Sequence, residues 1–198
     1  MQGYFGIYWT YPVPWLGFTR FDGVDHAARI SRTIRYQRDI IRREVAALHG
    51  VLAAEAAFME NAPDRGTPEV AAEIAQAAKA RPELVPVLVD FGQVLGWRRH
   101  PDLMRLMNDA GAHFAAPDPI FLAGVRFDPA AHFRDWASRW QDHAQRKDSH
   151  RQDVLAALAA APHGGNAALA AYLNAEGLRT HTGKAWSADN LRKFRAKG

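Results

Sequence analysis

The chain has 198 residues, 48% of them hydrophobic and 11% aromatic, with a formal net charge of +4. That is enough apolar material to bury a sizeable core in one medium domain, or one domain with a small appendage, and it excludes an intrinsically disordered chain. The absence of cysteine excludes disulfides and thiolate metal sites and fits a reducing cytoplasm, while the small basic excess is compatible with a polyanionic partner. No run approaches the roughly 18 apolar residues of a membrane span, and the N-terminus lacks a basic start followed by an apolar core, so neither a membrane helix nor a signal peptide is expected. The nine histidines are scattered without an HxH or HExxH pair, so no zinc site and no cofactor is expected.

In chain order, residues 5–11 are apolar and aromatic, as in a buried strand. Residues 12–24 hold Pro12, Pro14, Gly17 and Gly23 and read as loop. Asp25 is placed to cap a helix in which Ile30, Ile34, Ile41, Val45 and Leu48 recur at helical spacing, with Gly50 as its stop. Arg32, Arg35 and Arg38 form a ridge on the opposite face. It is either a surface for DNA or a partner subunit, or a solvated face neutralised in part by Asp39 and Glu44. Residues 51–58 predict a second strand and 61–66 a loop. Thr67 and Pro68 then start a helix that runs to about Ala80. Residues 84–91 give the clearest strand, with Asp90 at its C-terminal end. A short helix over 100–107 ends at Gly111, and 112–116 predict another strand. Alternating strands and helices imply right-handed crossovers, so residues 1–127 predict an α/β domain with a mostly parallel sheet flanked by helices.

Asp128 and Pro129 begin a long helix or linker over 128–161, in which Phe133, Trp136 and Trp140 share one face as core or as a dimer interface. Residues 141–153 are almost wholly polar and fit an exposed helix or a linker. Val154, Leu155 and Leu158 restart an apolar face before the break at 162–165. Residues 162–198 predict a separate helix-turn-helix-like unit: a helix over 166–177 with a glycine stop, a connector containing Gly183, and a last helix over 188–196 capped by Ser187 and anchored by Trp186. Residues 179–198 carry Arg179, Lys184, Arg192, Lys193, Arg195 and Lys197 against one acid, Asp189. Asn190 and Lys193 share a face, as do Arg192 and Arg195. A helix presenting Arg, Lys and Asn suits phosphates and the major groove. The plainer alternative is a solvated basic tail.

Residues 173–192 match the pattern L-N-x-x-G-h-x-T-x-x-G-x-x-W-[ST]-x-x-x-h-R, with h apolar, at Leu173, Asn174, Gly177, Leu178, Thr180, Gly183, Trp186, Ser187, Leu191 and Arg192. This resembles the DNA-binding segment that follows the catalytic domain in many serine recombinases, the resolvase/invertase superfamily. The N-terminal part is similar to the same family in a decayed form. Residues 31–43 resemble its first helix with a Gln-Arg pair, Asp64 to Pro68 its arginine-containing loop, and residues 87–91 its strand ending in Leu-Asp-Arg. The helix from Asp128 stands where the family has a long dimer-forming helix. The resemblance implies a resolvase-like α/β fold over nearly the whole chain.

The family's first strand ends in Tyr-x-Arg-x-Ser, the serine attacking a DNA phosphate; here Tyr8, Thr10 and Pro12 fall on those three positions. Asp90 keeps the acid of Asp-Arg, Phe91 replaces its arginine, Val94 falls near a further arginine, and Arg65 is the main basic remnant. Phosphoryl transfer needs an oxygen nucleophile and guanidinium groups around a highly anionic phosphorus. Proline supplies no nucleophile, and losing one can cost about a million-fold in rate. The resemblance therefore implies a catalytically inactive, recombinase-like protein that binds double-stranded DNA as a homodimer or higher oligomer. It would be a transcriptional regulator or site-occupancy factor, associated with a mobile element or open to a protein partner, in the cytoplasm at the nucleoid. The expected DNA-binding set is Arg179, Lys184, Ser187, Asn190, Arg192, Lys193 and Arg195. Phe133, Trp136 and Trp140 are the expected interface. Two alternatives stand beside this. One is an active DNA-breaking enzyme whose nucleophile has moved to Tyr8, Thr10, Tyr11 or Ser31. The other is a protein-interaction or sensor module on a flavodoxin-like sheet. The aromatics Trp9, Tyr11, Trp15 and Phe18 are read as packing, or else as a stacking platform for bases.

Overall fold

Seven of the eight residues of β1 (Gly3–Thr10) are buried, as a run of Tyr, Phe, Ile and Trp must be when strands flank it and helices cover it. The computed structural model describes residues 1–94, 99–181 and 183–196, and the chain divides into two units, Met1–Arg134 and Asp135–Gly198. In the first, β1 lies inside a parallel sheet with β2 (Val51–Met59), β3 (Val85–Val89) and β4 (His113–Ala115), in the order β2-β1-β3-β4. Helices α1 (Gly23–Ile30) and α2 (Arg32–Ala47) connect β1 to β2, α3 (Pro68–Lys79) connects β2 to β3, and α4 (Pro101–Asp109) connects β3 to β4. Right-handed crossovers running in opposite directions put α1 and α2 on one face and α3 and α4 on the other. The expected parallel sheet flanked by helices is present. The alanines of β2 suit an edge strand that is only half covered.

Where one helix capped by Asp25 is expected, the chain forms two. Ser31 has extended backbone and its Oγ accepts the Ile34 N–H at 3.3 Å, which ends α1 and starts α2. Arg35 donates to the carbonyls of Ala28 and Arg29 at 3.0 and 2.9 Å, satisfying the last turn of α1. The break turns Ile30 outward, while Ile34, Ile41 and Val45 hold the buried face. His49, at φ 51°, takes the left-handed position after α2. Gly50 is needed for another reason: a Cβ there would collide with the Tyr4 ring.

A hairpin that the sequence pattern did not announce, β5 (Ile120–Leu122) and β6 (Val125–Phe127), turns through Ala123 and Gly124, both at positive φ. It packs on α2, where the Tyr36 hydroxyl donates to the Asp118 carbonyl at 2.8 Å. Asp128 then caps α5 (Pro129–Ala160), its Oδ1 accepting the N–H groups of Ala130 and Ala131 at 2.9 and 3.2 Å. The polar stretch 141–153 is helix rather than linker. The boundary between the two units falls inside α5. In the second unit the end of α5 packs with α6 (Asn166–Ala175) and α7 (Ala188–Arg195) around Val154, Leu169, Ala170, Leu173, Trp186 and Leu191.

Candidate nucleic-acid interface

The connector 176–187 is longer than the turn of three or four residues in a helix-turn-helix, so it needs its own supports. Gly177, at φ 73°, ends α6, and the Leu178 N–H returns to the Leu173 carbonyl at 3.0 Å. Asn174 then clamps the far end of the connector. Its Nδ2 donates to the Trp186 carbonyl and its Oδ1 accepts the Trp186 N–H, both at 2.9 Å. This fixes Trp186 in the core, edge-on to Phe194 at 5.2 Å. Most matched positions of the 173–192 pattern thus act as architecture. Asn174 is a residue whose structural task the sequence reading did not assign.

Ser187 and Asn190 form a reciprocal capping box on α7. The Ser187 Oγ accepts the Asn190 N–H at 3.3 Å, and the Asn190 Oδ1 accepts the Ser187 N–H at 2.8 Å. Asn190 Nδ2 also donates to the Ala185 carbonyl at 3.1 Å. Ser187 and Asn190 therefore form the cap that holds the helix. The charged members stand out from it. Leu191 and Phe194 face inward, whereas Lys184, Arg192, Lys193 and Arg195 are exposed. Arg192 and Lys193 both reach Asp189, at 2.9 and 2.7 Å, and these hydrogen bonds, Lys193's the larger effect, hold its carboxyl below the usual range. Arg195 donates to Asn166 Oδ1 at 2.9 Å, and Arg179 lies 3.4 Å from Asn174 Oδ1. Lys197 lies outside the described residues.

In the first unit, the crevice to inspect lies between the C-terminal ends of β1 and β3, where strand order reverses. The two strands pair only through Gly6 and Val87, then part. Buried Gln37 substitutes for the missing strand partner: its Nε2 donates to the Trp9 carbonyl at 2.8 Å and its Oε1 accepts the Trp9 N–H at 3.0 Å. Aromatic rings fill the gap. Trp9 and Phe91 pack at 6.2 Å, Tyr36 and Phe91 at 6.0 Å, and Phe133 meets Phe91 edge-on at 5.1 Å. Pro12 is buried, and Asp90 caps the turn after β3 through Gly92 at 2.9 Å and Gln93 at 3.0 Å. Arg65 is 74% exposed, beside Asp64 at 3.9 Å. Glu60, just past β2, accepts the N–H and hydroxyl of Thr67, both at 2.9 Å. Its other oxygen lies 3.0 Å from His100 Nε2, out of line for a hydrogen bond, and both side chains are buried. Gly66 makes room for that imidazole, since a Cβ there would lie 2.5 Å from it. No sequence signal marked this pair.

The hydroxyls considered as relocated nucleophiles are structurally engaged or enclosed. Tyr8 donates to Glu55 at 2.7 Å; burial first, then that bond, pushes its pKa well above the ordinary tyrosine range. Thr10 and Tyr11 are buried, and Ser31 caps α2. Of the arginine ridge, Arg38 turns inward while Arg32 and Arg35 stay exposed. Arg38 reaches both oxygens of Glu55 at 2.8 and 3.0 Å and Asp25 at 2.7 Å, and Arg42 adds a contact to Glu55 at 3.3 Å. Burial alone would raise the Glu55 pKa, but the bonds from Arg38 and Tyr8 outweigh it and lower it to about 2. The neutralising acids are therefore Glu55 and Asp25. Glu44 pairs instead with His113 at 2.8 Å. Arg32 lies over the Phe127 ring at 5.4 Å.

Phe133 is only 2% exposed within the first unit's own core, which removes it from the expected interface set. Trp136 and Trp140 are half-buried and belong to the second unit. Among the described residues no helix is long and apolar enough to cross a membrane, and no cluster of three or more His, Asp or Glu could hold a metal. No protein-family model matches the chain, and no curated protein or solved structure is significantly similar to it.

Proposed function

We propose that this chain is a double-stranded DNA-binding protein built on a serine-recombinase-like scaffold that no longer cuts DNA, acting as a transcriptional regulator or site-occupancy factor. The observation that carries the reading is α7, a capped helix with Leu191 and Phe194 turned inward and Arg192, Lys193 and Arg195 turned out. A merely solvated basic tail has no need of a capping box or of an Asn174 clamp. Loss of catalysis is supported by the buried Pro12, by Phe91 inside an aromatic cluster and by the enclosed hydroxyls nearby. Phosphate contacts would come from Arg179, Lys184, Arg192, Lys193 and Arg195. A homodimer would carry two such units to a two-fold symmetric site, with Trp136 and Trp140 as the remaining interface candidates.

The test is fluorescence anisotropy of the full chain on a labelled random-sequence duplex, from about 50 to about 200 mM salt. Affinity is expected to fall steeply with salt. Arg192→Ala with Arg195→Ala is expected to flatten the log–log slope by about two and weaken binding by a few kcal/mol at most, at ~1–3 kcal/mol each. Salt-independent binding, or an unchanged double variant, contradicts the proposal.

A further inference from the structure

Cationic groups also gather away from α7. His143, Lys147 and His150 follow one another along α5 at steps of four and three, which puts them on one side of the helix. His181 of the connector joins them, its ring 6.4 Å from that of His150 at 64°. His150 is oriented by the chain itself. Its Nε2 lies 2.6 Å from the Arg179 carbonyl, which can only accept, so Nε2 carries the proton that it donates there. The connector is pinned there by the Gly183 N–H on the Thr180 carbonyl at 2.7 Å and the Lys184 N–H on Thr180 Oγ1 at 3.0 Å.

We propose that His143, Lys147, His150 and His181 form a second phosphate-binding patch on the C-terminal unit, one that tightens on duplex DNA as the solution is acidified. This rests on the DNA-binding reading above. Burial first, then the charges of Lys147, His150 and His143, push the His181 pKa below the ordinary imidazole value. Gathering like charges there is unfavourable without an anion, and a phosphate relieves it. Asp142, Arg146 and Asp153 of α5 line an open groove beside His150 with Gln145 and Ser149. Arg151 is directed to the Phe194 ring of α7 at 4.7 Å. Asp142 and Asp153 repel an anion there, and acidification offsets them by charging the imidazoles. The sign follows: an imidazole held neutral in the free protein gains its proton on binding an anion, so affinity rises as pH falls through the imidazole range.

The test follows the histidine ring resonances of the full chain by NMR from about pH 8 to about pH 5, alone, with inorganic sulfate, and with a short random-sequence duplex. Sulfate keeps its charge over that range. The His181 midpoint is expected to rise with sulfate and to rise further with duplex. The salt slope of DNA binding is expected to steepen by about one to two between the pH extremes. A His150→Gln, His181→Gln variant is expected to lose that steepening while keeping wild-type affinity at the alkaline end. Its amide spectrum checks that the unit is folded. A midpoint that neither anion moves overturns the patch. DNA that binds through Arg192 and Arg195 while the His181 midpoint stays put overturns the patch and leaves the DNA-binding reading intact. A rise with sulfate and no binding of duplex overturns the DNA assignment of both.

Discussion

Asp189 lies between Arg192 at 2.9 Å and Lys193 at 2.7 Å, where the proposed DNA-binding reading puts a phosphate. These are exposed pairs that solvent screens, so a phosphate displaces the carboxylate at small cost. Asp189→Asn is therefore expected to tighten DNA binding about two- to fivefold at low salt, with the unit still folded by circular dichroism. Unchanged or weaker binding by a folded variant would mean that these two cations do not meet the phosphate. The same helix shows how far single residues were legible. Basic side chains on the last helix were read from composition and spacing. Asn190 is expected in the DNA-binding set, yet a three-residue step from Ser187 is also the spacing of a capping box. Periodicity places a side chain on a face but does not say which hydrogen bond it spends. Gln37 is a similar case: its Gln-Arg context resembled a family helix, while its clamp on Trp9 depends on β1 and β3 parting.

At the scale of elements, one side chain, Asn174, holds the far end of the connector 176–187. Asn174→Ala removes no charge but strips the Trp186 N–H and carbonyl of their partners, at a cost of about 2–3 kcal/mol. Hydrogen exchange is expected to accelerate at least about tenfold at the Trp186 amide, with DNA affinity falling alongside. Exchange unchanged at that amide would show that the clamp does not hold the connector. β1, β2, β3, α3, α4 and α7 were legible because period and breakers agreed over their length, and β4 because Gly111 and Pro117 bracket it. β5 and β6 were not, since three-residue strands are too short to establish an alternation. The division of α1 from α2 also escaped the pattern. A serine within an isoleucine-periodic stretch looks like a tolerated polar residue until its hydroxyl is seen capping Ile34.

For the whole molecule, the unit division places the aromatic-filled sheet edge in Met1–Arg134 and the capped cationic helix in Asp135–Gly198. The parallel sheet was legible from alternating elements. The filled crevice was not, because sequence alone does not show that Trp9, Tyr36, Phe91 and Phe133 converge. Among the described residues, aromatic rings occupy the crevice between β1 and β3, and Pro12 offers no attacking oxygen. The molecule is thus expected to hold DNA and leave its backbone whole. The most direct measurement incubates the full chain with a labelled random-sequence duplex at low salt and runs one sample on a native gel and the other after denaturation in detergent. A shifted band on the native gel that returns wholly to free, intact duplex after denaturation is the expected result. No native shift, or a protein–DNA adduct that survives detergent, would contradict it.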